Sequence, residues 1–343
     1  MRPGPLFVVG LWRSGTSLLY TLLNQHPQIA LMYEGELARL RPLFWIPGGK
    51  SDWPARWDFW NGALERHQIA SGEIPARVRN LAEAMRVVYQ NYAQRKGASV
   101  WGCKSPNYYG SVTPLARIFP QAAFIVIWRD PADACRSIIR AASHDTWFRK
   151  RGIPHRALFG FERMKEACDQ LVRQGVPVHQ IQYEDLIRIP AEVMQGICRF
   201  LNVPFDGRMT SLDEADRSAI YEGEHHAAVK SEKIVIKKAR PEVLPPAQKA
   251  KIERYMRFWS RKYGATWPLP SHSQSSDQAT PGLFERAKDR FVFRAMRALD
   301  AAVIVIYCFV PLALLRRYRA VKGQNQSSSV GREARSAEPI SAE

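Results

Sequence analysis

The chain has 343 residues, 24% charged and 46% hydrophobic, which is enough to bury one large core and too apolar for a wholly disordered protein. Its formal net charge of +18 points to an anionic partner, but no nucleic-acid module with stacking aromatics accompanies that charge, so no nucleic-acid partner is expected. The five cysteines (Cys103, Cys135, Cys168, Cys198 and Cys308) are scattered and contain no C-x-x-C pair, which supports neither a disulfide framework nor a zinc site and makes a reducing cytoplasm the default.

Taken in order, Leu6 to Val9 form a short apolar run broken by Gly10, and Ser14 to Leu23 then repeats apolar residues at helical spacing. This reads as strand, tight loop and helix, with no cleavage site to make the run a signal peptide. Ile29 to Tyr33 is a second strand with Glu34 at its carboxyl end. The stretch from Arg39 to about Asn61, crowded with Phe44, Trp45, Trp53, Trp57, Phe59 and Trp60, reads as an irregular lid or insertion. Helical periodicity follows over Glu65 to Arg95, then a strand over Ser99 to Lys104, a short helix over Leu115 to Phe119, and a wholly apolar strand over Ala122 to Trp128. Helices are expected at Ala132 to Ala142 and Phe161 to Gln174, a fifth strand at Val178 to Tyr183, and helices at Ala191 to Leu201 and Pro245 to Tyr263. Strands alternating with helices predict an α/β fold with a doubly wound parallel sheet.

The first loop concentrates the chemistry. A strand–loop–helix turn aims backbone N–H groups and the positive end of a helix dipole at one point, which suits phosphate or sulfate. Gly10 and Gly15 stand where the glycines of a Walker-type loop stand, yet Thr16 replaces the phosphate-binding lysine, Ser17 takes the Ser/Thr place, and the charge has moved to Arg13. A P-loop kinase or NTPase is therefore the rival reading, and a non-catalytic nucleotide-binding module is a third.

Gly-x-x-Arg-Ser-Gly-Thr-Ser, then Leu18-Leu19 and His26-Pro27, resembles the segment with which sulfotransferases bind the 5′-phosphosulfate of PAPS (3′-phosphoadenosine 5′-phosphosulfate). Phe124 to Pro131, ending in Arg-Asp-Pro, with Ser137 eight residues after Arg129, is similar to the family's 3′-phosphate segment. The likeness covers Pro5 to about Gly264 and is nearest to the branch holding protein-tyrosine sulfotransferases and many bacterial sulfotransferases. It implies a cradle of Arg13, Ser14, Gly15, Thr16 and Ser17, with Arg13 at the transferring sulfuryl. Arg129 and Ser137 would lie on the 3′-phosphate, and Lys104, in Gly-Cys-Lys-Ser-Pro, on the leaving-group side. Tyr183 would lie by the nucleotide, Ser231 would close over it, and Lys237, Lys238 or Arg240 would supply a late charge. Glu34, twenty-one residues after Arg13, corresponds to the acceptor-activating base, with Glu36 and His26 as rivals. PAPS is the implied co-substrate, no metal is expected, and the acceptor is a hydroxyl on a glycan, lipid or small metabolite, or a peptide tyrosine.

These segments divide the chain into a catalytic domain (1–264), a Pro/Ser/Gln linker (265–282), a basic and apolar helical segment (283–322) and a polar tail (323–343) expected to be disordered. The run from Ala301 to Leu315 carries no charge but is short for a hydrocarbon core of about 30 Å, and arginines flank it on both sides. An in-plane or re-entrant helix at an anionic membrane face is the expectation, which makes the protein peripheral or monotopic at the cytoplasmic side. The alternative is a helix docked on the protein's own core.

Overall fold

The computed structural model describes residues 3–47, 49–144, 153–221, 244–264, 267–269 and 280–320, together with Val229 and Ile234. Ser231, Lys237, Lys238 and Arg240 lie outside the described residues, as do most of the linker and the whole tail.

Five strands form one parallel sheet: β1 (Leu6–Gly10), β2 (Ile29–Tyr33), β3 (Val100–Lys104), β4 (Ala123–Trp128) and β5 (Val178–Gln182), in the order β2-β3-β1-β4-β5. The alternation of side chains along a strand explains the layers on either side. Leu6 and Val8 point into a cluster with Leu19, Leu22, Ile127 and Ile197, whereas Phe7 and Val9 point into another with Phe119, Phe124, Val126 and Leu158. The first cluster contains helices α1 (Thr16–Leu23) and, further along, Pro190–Leu201; the second is covered mainly by helices between residues 81 and 173. Strands buried on both faces read as continuous apolar runs, which is why β1 and β4 were legible without alternation.

Register aligns the carboxyl ends. Val8 sits opposite Lys104, Tyr33 opposite Lys104, Gly10 opposite Ile127, and Trp128 opposite Gln182. The residues that follow the strands therefore emerge along one edge, where open α/β sheets bind ligands.

Two expectations are corrected. Residues 39–61 are not an irregular lid: a 3-10 segment, Leu37–Phe44, is followed by α2 (Trp53–Asn61), whose Trp53 and Trp57 are fully buried. Nor is 65–95 one helix. α3 (Ala63–Arg66) is followed by Gln68, which has a φ of 53°, and a 3-10 turn (Ser71–Glu73) precedes α4 (Leu81–Arg95). Pro75 stands in the break, and Asn80 starts α4 by accepting the Glu83 N–H at 3.0 Å.

The remaining helices are α5 (Val112–Ile118), α6 (Pro131–His144), α7 (Ile153–Arg173), α8 (Tyr183–Arg188), α9 (Pro190–Leu201), α10 (Pro246–Tyr263) and α11 (Leu283–Phe309). Past Pro311 the chain turns by 110° into α12 (Leu312–Ala320). No single helix among the described residues is long and apolar enough to cross a membrane, although the bent pair passes that test by length and composition together. α11 lies on the protein itself. Asp289 accepts from Lys251 Nζ (2.7 Å) and Tyr255 OH (2.9 Å) of α10, Arg290 donates to Glu162 of α7 (2.6 Å), and Phe293 packs on Phe159.

Candidate active site

The loop between β1 and α1 is built by backbone conformation. Gly15, with φ 90°, caps α1, and a Cβ there would come within 2.3 Å of the Tyr183 ring. At Gly10 a Cβ would come within 2.7 Å of Ile127 and 2.8 Å of Thr16. Arg13 is itself left-handed, at φ 68°, a conformation that costs a non-glycine residue on the order of 1 kcal/mol and that persists where surrounding contacts fix it. Those contacts are visible. Arg129 Nη1 donates to the Arg13 carbonyl (2.6 Å), and Arg13 Nε donates to Ser137 Oγ (3.0 Å). Ser14 and Thr16 are buried, and the first turn of α1 contains no acid. The N–H groups of that turn have no carbonyl to meet within the helix and face the loop.

Arg13, Arg129, Ser137 and Tyr183 form one cluster. The Arg129 guanidinium lies 4.3 Å over the Tyr183 ring, and its buried Nε has no hydrogen-bond partner. Burial, followed by the neighbouring charge of Arg129, lowers the Arg13 pKa to about 10. Two half-buried arginines in one cluster, one with a buried donor that no protein group meets, suit an anion. Arg13 thus lies with Ser137 and Arg129 in this cluster.

The second cluster lies at the ends of β2 and β3. Lys104 is the last residue of β3 and is 0% exposed. Its Nζ donates to Glu34 Oε1 (2.7 Å) and Ser17 Oγ (3.1 Å) and stands 3.9 Å over the Tyr33 ring. Desolvation lowers the lysine pKa and the Glu34 carboxylate opposes that shift. The Ser17 and Tyr33 hydroxyls are 3.0 Å apart, so the loop and the ion pair are one hydrogen-bonded unit. Glu34 is also left-handed (φ 48°), its N–H donating to the Lys104 carbonyl (2.7 Å) and its carbonyl accepting from Asn61 Nδ2 (2.8 Å).

The rivals for the base are otherwise engaged. Glu36 is buried and accepts from Ser105 Oγ (2.7 Å), Asn107 Nδ2 (2.6 Å) and Arg39 Nη1 (3.1 Å), which is a structural role. His26 is buried too, with Nε2 donating to the Pro204 carbonyl (2.7 Å) and Nδ1 accepting from the Gln28 N–H (3.0 Å). In Arg-Asp-Pro, Asp130 accepts the N–H groups of Ala132 (2.7 Å) and Asp133 (3.1 Å), so it caps α6 while Pro131 opens that helix. Among the described residues no group of three His, Cys, Asp or Glu side chains could hold a metal.

Residues 5–207 match the model of the Sulfotransferase family. The chain belongs to the sulfotransferase family. It is 28% identical to Protein-tyrosine sulfotransferase 1 of Danio rerio over 61% of its own length and 25% identical to Protein-tyrosine sulfotransferase A of Caenorhabditis elegans over 62%. It spans 56% of the length of each of these relatives. Among solved structures it is similar to the sulfotransferase domain from the Curacin biosynthetic pathway, at 19% identity and a TM-score of 0.47, over 78% of this chain and 99% of that one. It is also similar to retinol dehydratase in complex with androsterone and inactive cofactor PAP, at 15% identity and a TM-score of 0.38, over 78% and 84%.

Several residues of this candidate site had no signal in the sequence. Tyr33 was a strand residue only, yet its ring and hydroxyl join Lys104 to Ser17. Asn61 and Trp57 both donate to the Gly35 carbonyl, so the aromatic segment fixes the Glu34 turn.

Proposed function

We propose that this chain is a PAPS-dependent sulfotransferase acting on a hydroxyl acceptor by in-line transfer. The observation that carries the reading is the buried Lys104 ammonium, held between Ser17 of the anion loop and the Glu34 carboxylate. Family membership supports the donor, and the partnerless Arg129 Nε beside Arg13 supports a phosphate-bearing ligand.

In this reading the loop N–H groups with Arg13, Ser14, Gly15, Thr16 and Ser17 hold the 5′ end, Arg129 and Ser137 hold the 3′-phosphate, and Tyr183 stands by the nucleotide. Bound PAPS supplies a labile sulfur–oxygen bond to phosphate. Glu34 removes the acceptor proton as the acceptor oxygen bonds to sulfur; the bridging S–O bond breaks and its electron pair leaves with PAP (3′-phosphoadenosine 5′-phosphate). Lys104 and Arg13 are the cations assigned to the negative charge that grows on the departing oxygen. Catalysis therefore rests on positioning and electrostatics, as in phosphoryl transfer. We assign residues 1–264 as the catalytic domain. The similarity to tyrosine sulfotransferases makes a peptide phenol one acceptor to test beside glycan, lipid and small-metabolite hydroxyls.

Calorimetric titration with PAP and with ATP–Mg²⁺ tests the donor. Tighter binding of PAP is expected; preference for ATP overturns the reading in favour of a P-loop kinase. Radiolabelled PAPS with host extract, fractionated into peptide, glycan and lipid, then identifies the acceptor class, and binding of PAP without label transfer would instead indicate a non-catalytic module.

A further inference from the structure

α11 and α12 present two chemically different faces. The inner face is committed to the protein: Cys308 is fully buried, and Arg56 donates to the carbonyls of Tyr307 (3.2 Å) and Val310 (2.8 Å). The Tyr307 ring lies against Trp60 at 4.7 Å, and Asp289 and Phe293 are buried farther back along α11. A helix tied down along its length in this way does not leave the domain to span a bilayer. The outer face is the reverse. Leu299, Val303 and Ile306, at helical spacing, are 67%, 58% and 61% exposed, and Phe309 continues the stripe.

A second part of the chain joins that stripe. Trp45 and Ile46, at the end of the 3-10 segment, are exposed, and the Trp45 ring lies 6.1 Å from that of Phe309. Residues more than 250 positions apart thus build one apolar surface. Its charge is one-sided. From 291 to 320 there are five arginines (Arg294, Arg297, Arg316, Arg317 and Arg319) and a single acid, Asp300. Arg294, Arg316 and Arg317 are exposed, and Lys50 stands 4.9 Å over Phe309. The bend of 110° at Pro311 turns α12 away from the line of α11, which fits a segment that lies along a surface and not one that crosses it.

We propose that this surface docks the protein on an anionic lipid bilayer, with α11 in the plane of the interface, the stripe from Leu299 to Phe309 in the acyl boundary, Trp45 at its edge and the arginines at headgroup level. Apolar area and cationic rim act together in such binding, and an indole is at home where one side is wet and the other apolar. Charge complementarity selects lipid over a second copy of this chain, since two copies meeting through this face would bring arginines of the same sign together. The proposal is independent of sulfuryl transfer.

The test uses the full chain, because removing α11 would also uncover Phe159 and the α10 surface. Flotation is compared for vesicles of phosphatidylcholine alone and with about 30% phosphatidylserine. Wild type is expected to float with the anionic vesicles and to be released by salt. The double variants Val303→Glu/Ile306→Glu and Arg316→Glu/Arg317→Glu should each bind at least about tenfold more weakly. Affinity for PAP, measured in parallel, should be the same in both variants, which separates a lost surface from a lost fold. Flotation unchanged by Val303→Glu/Ile306→Glu overturns the proposal. So does a wild type that ignores anionic vesicles, or one that forms a dimer by light scattering which the same substitutions dissolve, since a second copy is then the occupant.

Discussion

Arg129 and Arg13 share a cluster but not a role. Arg129 combines a partnerless Nε with a hold on the loop carbonyl, so Arg129→Ala should weaken PAP binding by on the order of 2–5 kcal/mol, the usual cost of removing one partner of a desolvated charge pair. Arg13→Ala should lower both PAP affinity and turnover at saturating PAPS, because the loop carries this residue between Ser137 and the reacting end. Intact turnover at saturation would remove its catalytic part. The two glutamates provide a sharper contrast. Glu34→Gln keeps an acceptor for Lys104 Nζ while abolishing the base, so a folded protein that binds PAP and turns over at least about a hundredfold more slowly is expected. Glu36→Gln should chiefly lower the midpoint of urea unfolding, since Glu36 has three donors to satisfy and the proposed chemistry does not use it. The reverse pattern would move the base. The resemblance put Glu34 ahead of Glu36 by its spacing from Arg13, but the residues themselves did not separate the two. Glu34 and Glu36 are two residues apart in one acidic loop, and only the packing of Ser105, Asn107 and Arg39 around the second separates them.

Elements with their own periodicity were legible, and those defined by contact were not. β2 was read to the residue, and β4 to within one, because a buried parallel strand is an uninterrupted apolar run bounded by polar residues. The anion loop and Arg-Asp-Pro were legible for a related reason: each is a local device in which a glycine, a cap or a proline has a conformational duty. The aromatic segment failed this kind of reading. α2 has apolar rings on several sides, so periodicity said nothing about which face was inward, and only the depth of Trp53 and Trp57 decides it. The carboxyl-terminal helix was read as lying at a membrane or docked on the core, and the second is what its inner face does. A chain ending at Gly282 should therefore be less stable by at least about 3 kcal/mol, from the loss of the Phe293 contact and of the buried Asp289 partner of Lys251. Urea midpoints of the two chains measure this; equal midpoints would mean that α11 adds nothing to the core.

Over the whole molecule, mild acid should weaken the fold, and His67 is one reason. Its Nε2 donates to the Tyr33 carbonyl (2.9 Å), its ring packs edge-on against Tyr92 at 5.1 Å, and it is buried. Desolvation lowers its pKa to about 4; the hydrogen bond to Tyr33 opposes this, and Arg66, Arg95 and Lys96 add to it. The folded imidazole is thus harder to protonate than the unfolded one, whose pKa is about 6.5. Between those values the unfolded chain binds the extra proton, so stability is complete above about pH 6.5 and is lost as pH falls toward 4, by up to about 3 kcal/mol in all. His179, shifted down by burial and by Arg199, acts in the same direction over part of the same range. The contribution of His67 is isolated by His67→Gln, which keeps an N–H donor for the Tyr33 carbonyl and cannot titrate. Urea midpoints at pH 7 and pH 5 should differ clearly in the wild type and less in the variant. An identical pH response in wild type and His67→Gln would place the acid sensitivity elsewhere.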